Sequence, residues 1–344
     1  MIEIDGSVGE GGGQILRTAL SLSCLLTQPF RISGIRKSRR KPGLMPQHLM
    51  AVRAAGQISD AEVEGDSPGS MTLTFRPRRV RGETFLFDIG TAGSTMLVLQ
   101  TLILPLTSAP VKSTVILKGG THVPFSPCFD YINGVFLPLL ARLGIHVRLE
   151  IESYGFYPKG GGRVRAEIMP TRESGPLMLT GRGTLLRLRG VSAVANLPLS
   201  IAERQKNALV DKVRSAAKDH GPSPQVEVTG VPSPGQGTFA FLRADAEHSV
   251  AGFTALGERG KRAEEVGEEA ALAFLRYVST AAALDEHLTD QIVPYLAMSR
   301  GTSDFTTSAI TRHLLTNLHV IGLFADFPHS VEGDEGMPGR VRIR

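Results

Sequence analysis

The chain has 344 residues, 42% of them hydrophobic and 21% charged, and carries 38 Lys and Arg against 33 Asp and Glu for a formal charge of +5. That composition excludes a disordered or collagen-like chain and leaves room for two domains, or for one large domain with an insertion. The mild basic excess permits an anionic partner without demanding one.

Residues 2–5 alternate in polarity and lead into Gly9-Glu10-Gly11-Gly12-Gly13-Gln14, after which an apolar-periodic run begins. The pattern predicts a strand, a glycine-rich turn and a helix over 14–27. A strand at 30–35, a helix at 45–59 and strands at 61–65 and 70–76 follow, with Leu49, Val52, Ala55 and Ile58 on one helix face. The order then begins again: strand 84–89, the small-residue turn Gly90-Thr91-Ala92-Gly93-Ser94, helix 95–108, strand 113–118, helix 129–143 and strands 145–152 and 163–169. Both stretches read β-α-β-α-β-β with a glycine-bearing turn before the first helix, the mark of an internal repeat.

After about residue 180 the idiom changes to a strand at 184–195, a charged amphipathic helix at 201–218, and a proline-rich run at 221–234. Strands at 225–229, 238–243 and 249–256 and a helix at 262–277 complete that segment. From 279 the earlier idiom returns with a helix at 281–298, a polar run at 301–308, a helix at 311–324 and a strand at 340–343. The expected fold is therefore α/β (α+β), with a large domain over 1–181 and 279–344 and a small α/β domain inserted over 182–278. Cys24 and Cys128 are the only cysteines, without CxxC or Cys/His metal spacing, which points to a reducing compartment. No basic-then-apolar leader opens the chain, and its apolar runs fall short of the about 20 residues of a bilayer span. A soluble cytoplasmic protein is expected.

Glycines ahead of a helix start let backbone N–H groups approach an anion. Glu10 would repel a bare phosphate, so a divalent cation between them makes chemical sense; a turn with no ligand fits the same residues. The two common phosphate motifs fail. No G-x-x-x-x-G-K-[ST] occurs, and a G-x-G-x-x-G begun at Gly9 meets Gln14 where its third glycine belongs. His313 lies just inside a predicted helix start, which disfavours imidazolium and suits either a nucleophile or an ordinary capping histidine. Arg36 to Lys41 holds five cations in six residues, with Gln47 and His48 at the next helix start, and reads as a polyanion site or a solvated loop. Asp290 and Gln291 precede an apolar run, and Gln100 sits among leucines where a buried amide needs a partner. His122 and His319 are assigned no role. Only 6% of residues are aromatic, and no stretch suits open-sheet RNA binding.

Read together, Gly9 to Arg17, Arg36-x-x-Arg39-x-Lys41-Pro42-Gly43-Leu44, Gln47-His48-Leu49, Gly155 to Gly162 and His313-Leu314-Leu315-Thr316-Asn317 resemble RNA 3′-terminal phosphate cyclases. The resemblance spans nearly the whole chain and is weakest over 182–278 and after 325. It implies three β-α-β-α-β-β repeats like the C-terminal domain of a translation-initiation factor, with the insertion in the third repeat. It also implies conversion of an RNA 3′-phosphate to a 2′,3′-cyclic phosphodiester with ATP, through a histidine-AMP and an RNA-adenylate. By match to the family, His313 is the nucleophile, Asp290 orients its ring, and Glu10 holds Mg²⁺ or Mn²⁺. Gln100, Pro127, His287, Leu288, Thr289, Asp290 and Gln291 contact ATP, and Arg17, Arg36, Arg39, Gln47 and His48 hold phosphate or RNA. His287 stands where relatives carry a tyrosine against adenine, which puts adenine selectivity in question. Catalytically dead cyclase-like ribosome-biogenesis factors lack the histidine that this chain keeps as His313. Enolpyruvyl transferases share a turn like Gly90 to Ser94 but not the arginine pattern.

Overall fold

The structure, a computed structural model, describes residues 1–217 and 221–344; Lys218, the end of the expected helix 201–218, lies outside them. Strand β1 (Ile2–Asp5) pairs in parallel with β2 (Phe30–Ser33), and helix α1 (Gln14–Leu26) makes the crossover between them. Helix α2 (Pro46–Ser59) then leads to the antiparallel pair β3 (Glu62–Glu64) and β4 (Leu73–Arg76), giving the sheet order β1-β2-β4-β3. Leu49, Val52, Ala55 and Ile58 are all buried, as a 3.6-residue period with one apolar face requires. Proline at the first helical position starts α2, and Asp60 ends it in the left-handed region with φ 50°.

The next sheet repeats that connectivity. Strand β5 (Thr84–Asp88), helix α3 (Thr95–Leu106) and β6 (Ser113–Gly119) form a parallel crossover, and β7 (Val147–Ser153) and β8 (Gly162–Ile168) complete the order β5-β6-β8-β7. Helix α3 is largely apolar and buried at every position but Gln100, and Ser94 caps it by accepting a bond from the Leu97 N–H at 3.2 Å. The single helix expected over 129–143 is instead α4 (Phe129–Tyr131), a π turn over Ile132–Phe136, and α5 (Leu137–Arg142). Pro138 has no N–H to continue the ladder, and Leu137 N–H reaches back five residues to the Ile132 carbonyl.

Strand β9 (Met178–Leu179) precedes a different unit. Strand β10 (Leu185–Ala195), helix α6 (Leu199–Ala217), β11 (Gln225–Gly230), β12 (Gly237–Ala246), β13 (Val250–Leu256) and helix α7 (Ala263–Val278) form a sheet ordered β11-β10-β12-β13. Leu209, Val213, Leu242, Phe253 and Phe274 belong to an apolar cluster separate from the main core. The chain then returns through α8 (Glu286–Ala297), β14 (Ser303–Thr307), α9 (Arg312–Phe324), β15 (His329–Glu332) and β16 (Gly339–Ile343). Strand β14 pairs in parallel with β9, and the sheet order β9-β14-β16-β15 matches the pairing logic of the first two.

Residues 301–308, expected as a polar run, thus contain a buried strand. Asp304 is bracketed by Arg340, at 2.6 Å, and Arg342 on β16, while the next residue, Phe305, is fully buried on the other face. Strand β9 escaped sequence reading because two residues cannot show alternation, and β15 because its run His329–Glu332 carries a single apolar residue. The result is a mixed α/β fold whose main core draws on all three similarly connected sheets. Among the described residues no helix is long and apolar enough to cross a membrane.

Candidate active site

The starts of α1, α2, α8 and α9 converge on one cavity of 1680 Å³, which also takes residues from α3, the loop after β6 and the inserted unit. Its construction begins with the glycine turn. Gly9 has φ +65°, and a Cβ there would lie 2.3 Å from Thr316 Oγ1, so only glycine admits that close approach. Thr316 Oγ1 in turn accepts the Glu10 backbone N–H at 3.2 Å. One turn further on, Gln14 Nε2 donates to Asn317 Oδ1 at 3.0 Å, and Asn317 Nδ2 donates to the Asp290 carbonyl at 2.7 Å. The motif at the N-terminus and the motif around His313 are therefore two halves of one lock that fixes α1, α8 and α9.

His313 is the second residue of α9, whose N-cap Thr311 accepts the Leu314 N–H at 3.0 Å. The ring is half-exposed, but its Nδ1 is buried without a hydrogen-bond partner and stands 3.7 Å from Glu10 Oε2. Burial first, and then the charges of Arg17, His287 and Arg39, hold the imidazole below its ordinary value, so the neutral ring is favoured. Arg39 pairs with the Glu10 carboxylate and donates to the Glu10 carbonyl at 3.2 Å.

Arg17 has no carboxylate partner among the described residues; it donates to Gln14 Oε1 at 2.6 Å, and desolvation draws its guanidinium down to about 10, leaving it charged at neutral pH. His48 packs so closely on the α1 start that a Cβ on Gly13 would lie 2.3 Å from its Nε2. Burial, with Arg17 and Arg36 nearby, lowers His48 to about 3. This neutral ring accepts the Met45 N–H at Nδ1, 3.4 Å, which leaves the proton on Nε2. Arg36 spends Nη1 on the Lys41 and Gly43 carbonyls at 2.7 and 2.9 Å, bracing the cationic loop. Gln47 Oε1 accepts the Ser94 N–H at 3.0 Å and so ties the first unit to the turn before α3.

The sequence pattern of the RNA 3′-terminal phosphate cyclase family matches residues 8–331. The chain is 45% identical to an RNA 3′-terminal phosphate cyclase of Methylococcus capsulatus, over 100% of this chain and 96% of the relative. It is 46% identical to one of Sulfolobus acidocaldarius, over 99% of this chain and 100% of the relative. The chain belongs to the RNA 3′-terminal phosphate cyclase family. Among solved structures, the enolpyruvyl transferase NikO from Streptomyces tendae aligns at 12% identity and a TM-score of 0.35, covering 99% of this chain and 48% of that one, too weak a superposition to bear on function.

In this member of the cyclase family, Gln100, Pro127, His287, Asp290 and Gln291 all line the cavity, and Gln100 Nε2 donates to Gln291 Oε1 at 2.5 Å. Leu288 and Thr289 do not. Both are fully buried, because successive residues of α8 turn by about 100° and these two point away from the cavity into the core. Thr289 Oγ1 is spent on the Asp285 carbonyl at 3.1 Å and on Thr307 Oγ1 at 2.9 Å. Asp290 also differs from expectation: its carboxyl bonds Thr311 Oγ1 rather than the His313 ring. It lies one helix away from the histidine and acts on the cap of α9. Burial foremost raises the Asp290 carboxyl well above its ordinary value.

Sequence reading missed Asp285, the N-cap of α8, which accepts the His287 and Leu288 N–H groups at 3.1 and 2.9 Å and the Tyr131 hydroxyl at 2.7 Å while lining the cavity. An aspartate directly before a helix was the available signal. It also passed over Phe125 and gave Tyr157, inside the Gly155–Gly162 motif, no role of its own; both are exposed aromatics on the cavity wall.

His122, read as a residue without a role, is buried and bonds Asp130 Oδ2 at 2.8 Å and Thr121 Oγ1 at 2.9 Å, and its ring centroid lies 4.1 Å from that of Phe239. His122, Cys128 and Asp130 could together offer three metal donors, but both ring nitrogens of His122 are already engaged within the protein. That donor group does not include Glu10. A cation at Glu10 would take this one carboxylate and complete its shell with substrate phosphates and water, the usual arrangement for Mg²⁺. Arg39 holds one oxygen of that carboxylate, so a cation there would use the other, Oε2, or displace the guanidinium.

Proposed function

We propose that this chain is an ATP-dependent ligase that converts an RNA 3′-terminal phosphate to a 2′,3′-cyclic phosphodiester through nucleotidyl transfer. The relatives' names support the overall reaction. The observation that carries the finer reading is the pairing of a neutral, half-exposed His313 with Glu10 at 3.7 Å inside a cavity rimmed by unpaired and loop-borne arginines.

In this reading the proton rests on Nδ1, the nitrogen 3.7 Å from the Glu10 carboxylate, and the lone pair on Nε2. Nε2 attacks the α-phosphorus of ATP; an N–P bond forms, the bond to the bridging oxygen breaks, and pyrophosphate leaves with the electron pair. Arg17 and Arg39 stabilise the charge on the departing group. An oxygen of the RNA 3′-phosphate then takes the adenylyl group, the N–P bond breaks and His313 is regenerated. Finally the 2′-hydroxyl attacks the activated 3′-phosphorus, loses its proton and expels AMP. Holding that hydroxyl beside its own phosphate gives it a high effective concentration. Mg²⁺ or Mn²⁺ bound at Glu10 would neutralise phosphate charge.

Gln100, Gln291, Pro127 and the exposed His287 form the ATP-binding wall in this reading, with Asp290 positioning α9 through Thr311. Arg36, Gln47 and His48 hold the RNA phosphate. We further read the three similarly connected sheets as repeats of one β-α-β-α-β-β unit, and residues 182–278 as a domain inserted after the first strand of the third. A cytoplasmic location accords with two buried cysteines that form no disulfide with one another.

The test is labelling with ATP carrying radiophosphorus at the α position, in wild type and His313→Ala, with Mg²⁺ and with Mn²⁺. Acid-labile label on the wild type alone is expected, followed by cyclisation of a 3′-phosphorylated RNA. Equal labelling of both proteins, or of neither, would overturn the histidine-AMP mechanism.

A further inference from the structure

Two side chains stand out on the wall of the cavity. Among the exposed large apolar residues described, Phe125 and Tyr157 are the only aromatics, at 103% and 70% relative exposure, and both face the cavity. Exposed aromatic rings are costly in water, and placing the only two on one wall is not needed for the core. Phe125 also holds φ +61°, a left-handed conformation that a bulky residue rarely adopts and that a fold keeps where the outward position is useful.

The two residues ride on adjoining loops with rigid bases. Thr121 and His122 N–H groups donate to the Gly155 carbonyl at 2.8 and 3.1 Å, and His122 and Phe156 form a parallel bridge. Directly before Tyr157, Phe156 is buried with its ring centroid 5.6 Å from that of His122, and His122 is bonded to Asp130. The Tyr157 loop also abuts the turn that Gln47 holds: a Cβ on Gly160 would lie 2.7 Å from the Ala92 Cα, and a Cβ on Gly93 would lie 2.9 Å from the Gln47 Cβ. This puts the Tyr157 side of the platform beside Gln47 and the cationic loop, while Phe125 stands two residues before Pro127, at the edge of the wall that Gln100, Gln291 and His287 line. Arg36, Arg39, Arg40 and Lys41 continue the cationic lining past the cavity.

We propose that Phe125 and Tyr157 are a stacking platform for the terminal bases of the RNA 3′ end, with the cationic loop tracking its backbone. Every base has a π-face, so such a surface holds single-stranded ends of any sequence. The proposal deepens the cyclase reading and rests on it, and it explains how a site built around one phosphate would grip the nucleotides behind it.

The experiment uses RNA oligonucleotides with a 3′-phosphate and 2-aminopurine at the last or penultimate position. Wild type, Phe125→Ala, Tyr157→Ala and the aromatic-retaining Phe125→Tyr and Tyr157→Phe are compared for fluorescence quenching, for KM in cyclisation, and for His313 labelling by ATP without RNA. Quenching by wild type, its loss in the alanine variants, and a KM for RNA raised about tenfold with unchanged labelling are expected, since one stacked base is worth on the order of a tenfold change in affinity. The aromatic-retaining variants keep wild-type values, and an abasic terminal nucleotide removes the difference between wild type and alanine variants. Wild-type quenching and KM in the alanine variants would overturn the platform, as would loss of ATP labelling alongside RNA binding. If wild type fails to label yet its quenching is lost in the alanine variants, the cyclase mechanism falls and the platform stands.

Discussion

His313 Nδ1 lies 3.7 Å from Glu10 Oε2, although 303 positions separate the two residues in the chain and they come from different sheets' helices and turns. The carboxylate thus lies on the Nδ1 side of the ring. In the proposed reaction it favours a proton on Nδ1 and leaves Nε2 to attack.

Enzyme-AMP formation should therefore persist well into mildly acidic solution. The His313 pKa is depressed from the ordinary 6.5, chiefly by burial and then by Arg17, His287 and Arg39. A depressed histidine stays neutral above its lowered value and loses its lone pair only as pH falls through it. The acid limb of the single-turnover labelling rate should lie below pH 6.5 in wild type and move upward in Arg39→Gln, which removes one depressing charge. A wild-type limb at or above 6.5 would contradict this account.

Replacing Glu10 by glutamine keeps the shape and removes the charge. Labelling should slow by about 100- to 1000-fold, the range typical of losing one positioned electrostatic group in a transition state, and should demand more Mn²⁺ for half-maximal rate. Thermal stability should change little, because a partly exposed pair such as Glu10–Arg39 is worth only about 0–1 kcal/mol. An unchanged rate with unchanged metal dependence would remove Glu10 from both roles.

Asn317 is fully buried and joins three helices: it accepts from Gln14 Nε2 and Thr18 Oγ1 and donates to the Asp290 carbonyl. Asn317→Ala strands these buried groups, and each unpaired group costs about 1–3 kcal/mol before local relaxation. A loss of about 2–3 kcal/mol in urea unfolding is expected, at the level of one fully stranded group. Catalytic labelling should fall with it, since the same bonds set α9 against the glycine turn. A change below about 0.5 kcal/mol, the size of an ordinary surface substitution, would mean that the lock is not structural.

Two buried histidines should shape stability in opposite pH ranges. His48 falls to about 3, from burial first and then Arg17 and Arg36; the unfolded chain binds a proton below 6.5 and the folded chain does not, so stability declines as pH drops from 6.5 towards 3. His122 rises to about 9: burial opposes the shift, and the bond to Asp130 with Cys128 close by outweighs it. Its stabilisation is complete below 6.5 and is lost as pH climbs through 9. In thermal melts across pH, His48→Gln should flatten the acid slope and His122→Gln the alkaline slope. Slopes unaltered by either change would show that other groups dominate.

Much of this was legible locally. The glycine turn, the helix start at His313 and the amphipathic face of α2 rest on backbone rules and short-range periodicity, which operate within a few residues and leave a direct mark on sequence. The same is true of the family motifs, because each is a contiguous run. What tertiary structure decided was partnership. Nothing near Gly9 announces that Thr316 Oγ1 needs the space of its missing Cβ, and nothing near Asp290 shows that its carboxyl meets Thr311 rather than the His313 ring. Leu288 and Thr289 lie inside a motif that faces ATP in name, yet the helix turns them into the core. Asp304 looked like loop until two arginines from β16 paired it within a strand. Local sequence sets which conformations each segment prefers; burial, charge pairing and close approach depend on residues brought together from distant positions, and only the packed fold supplies those neighbours.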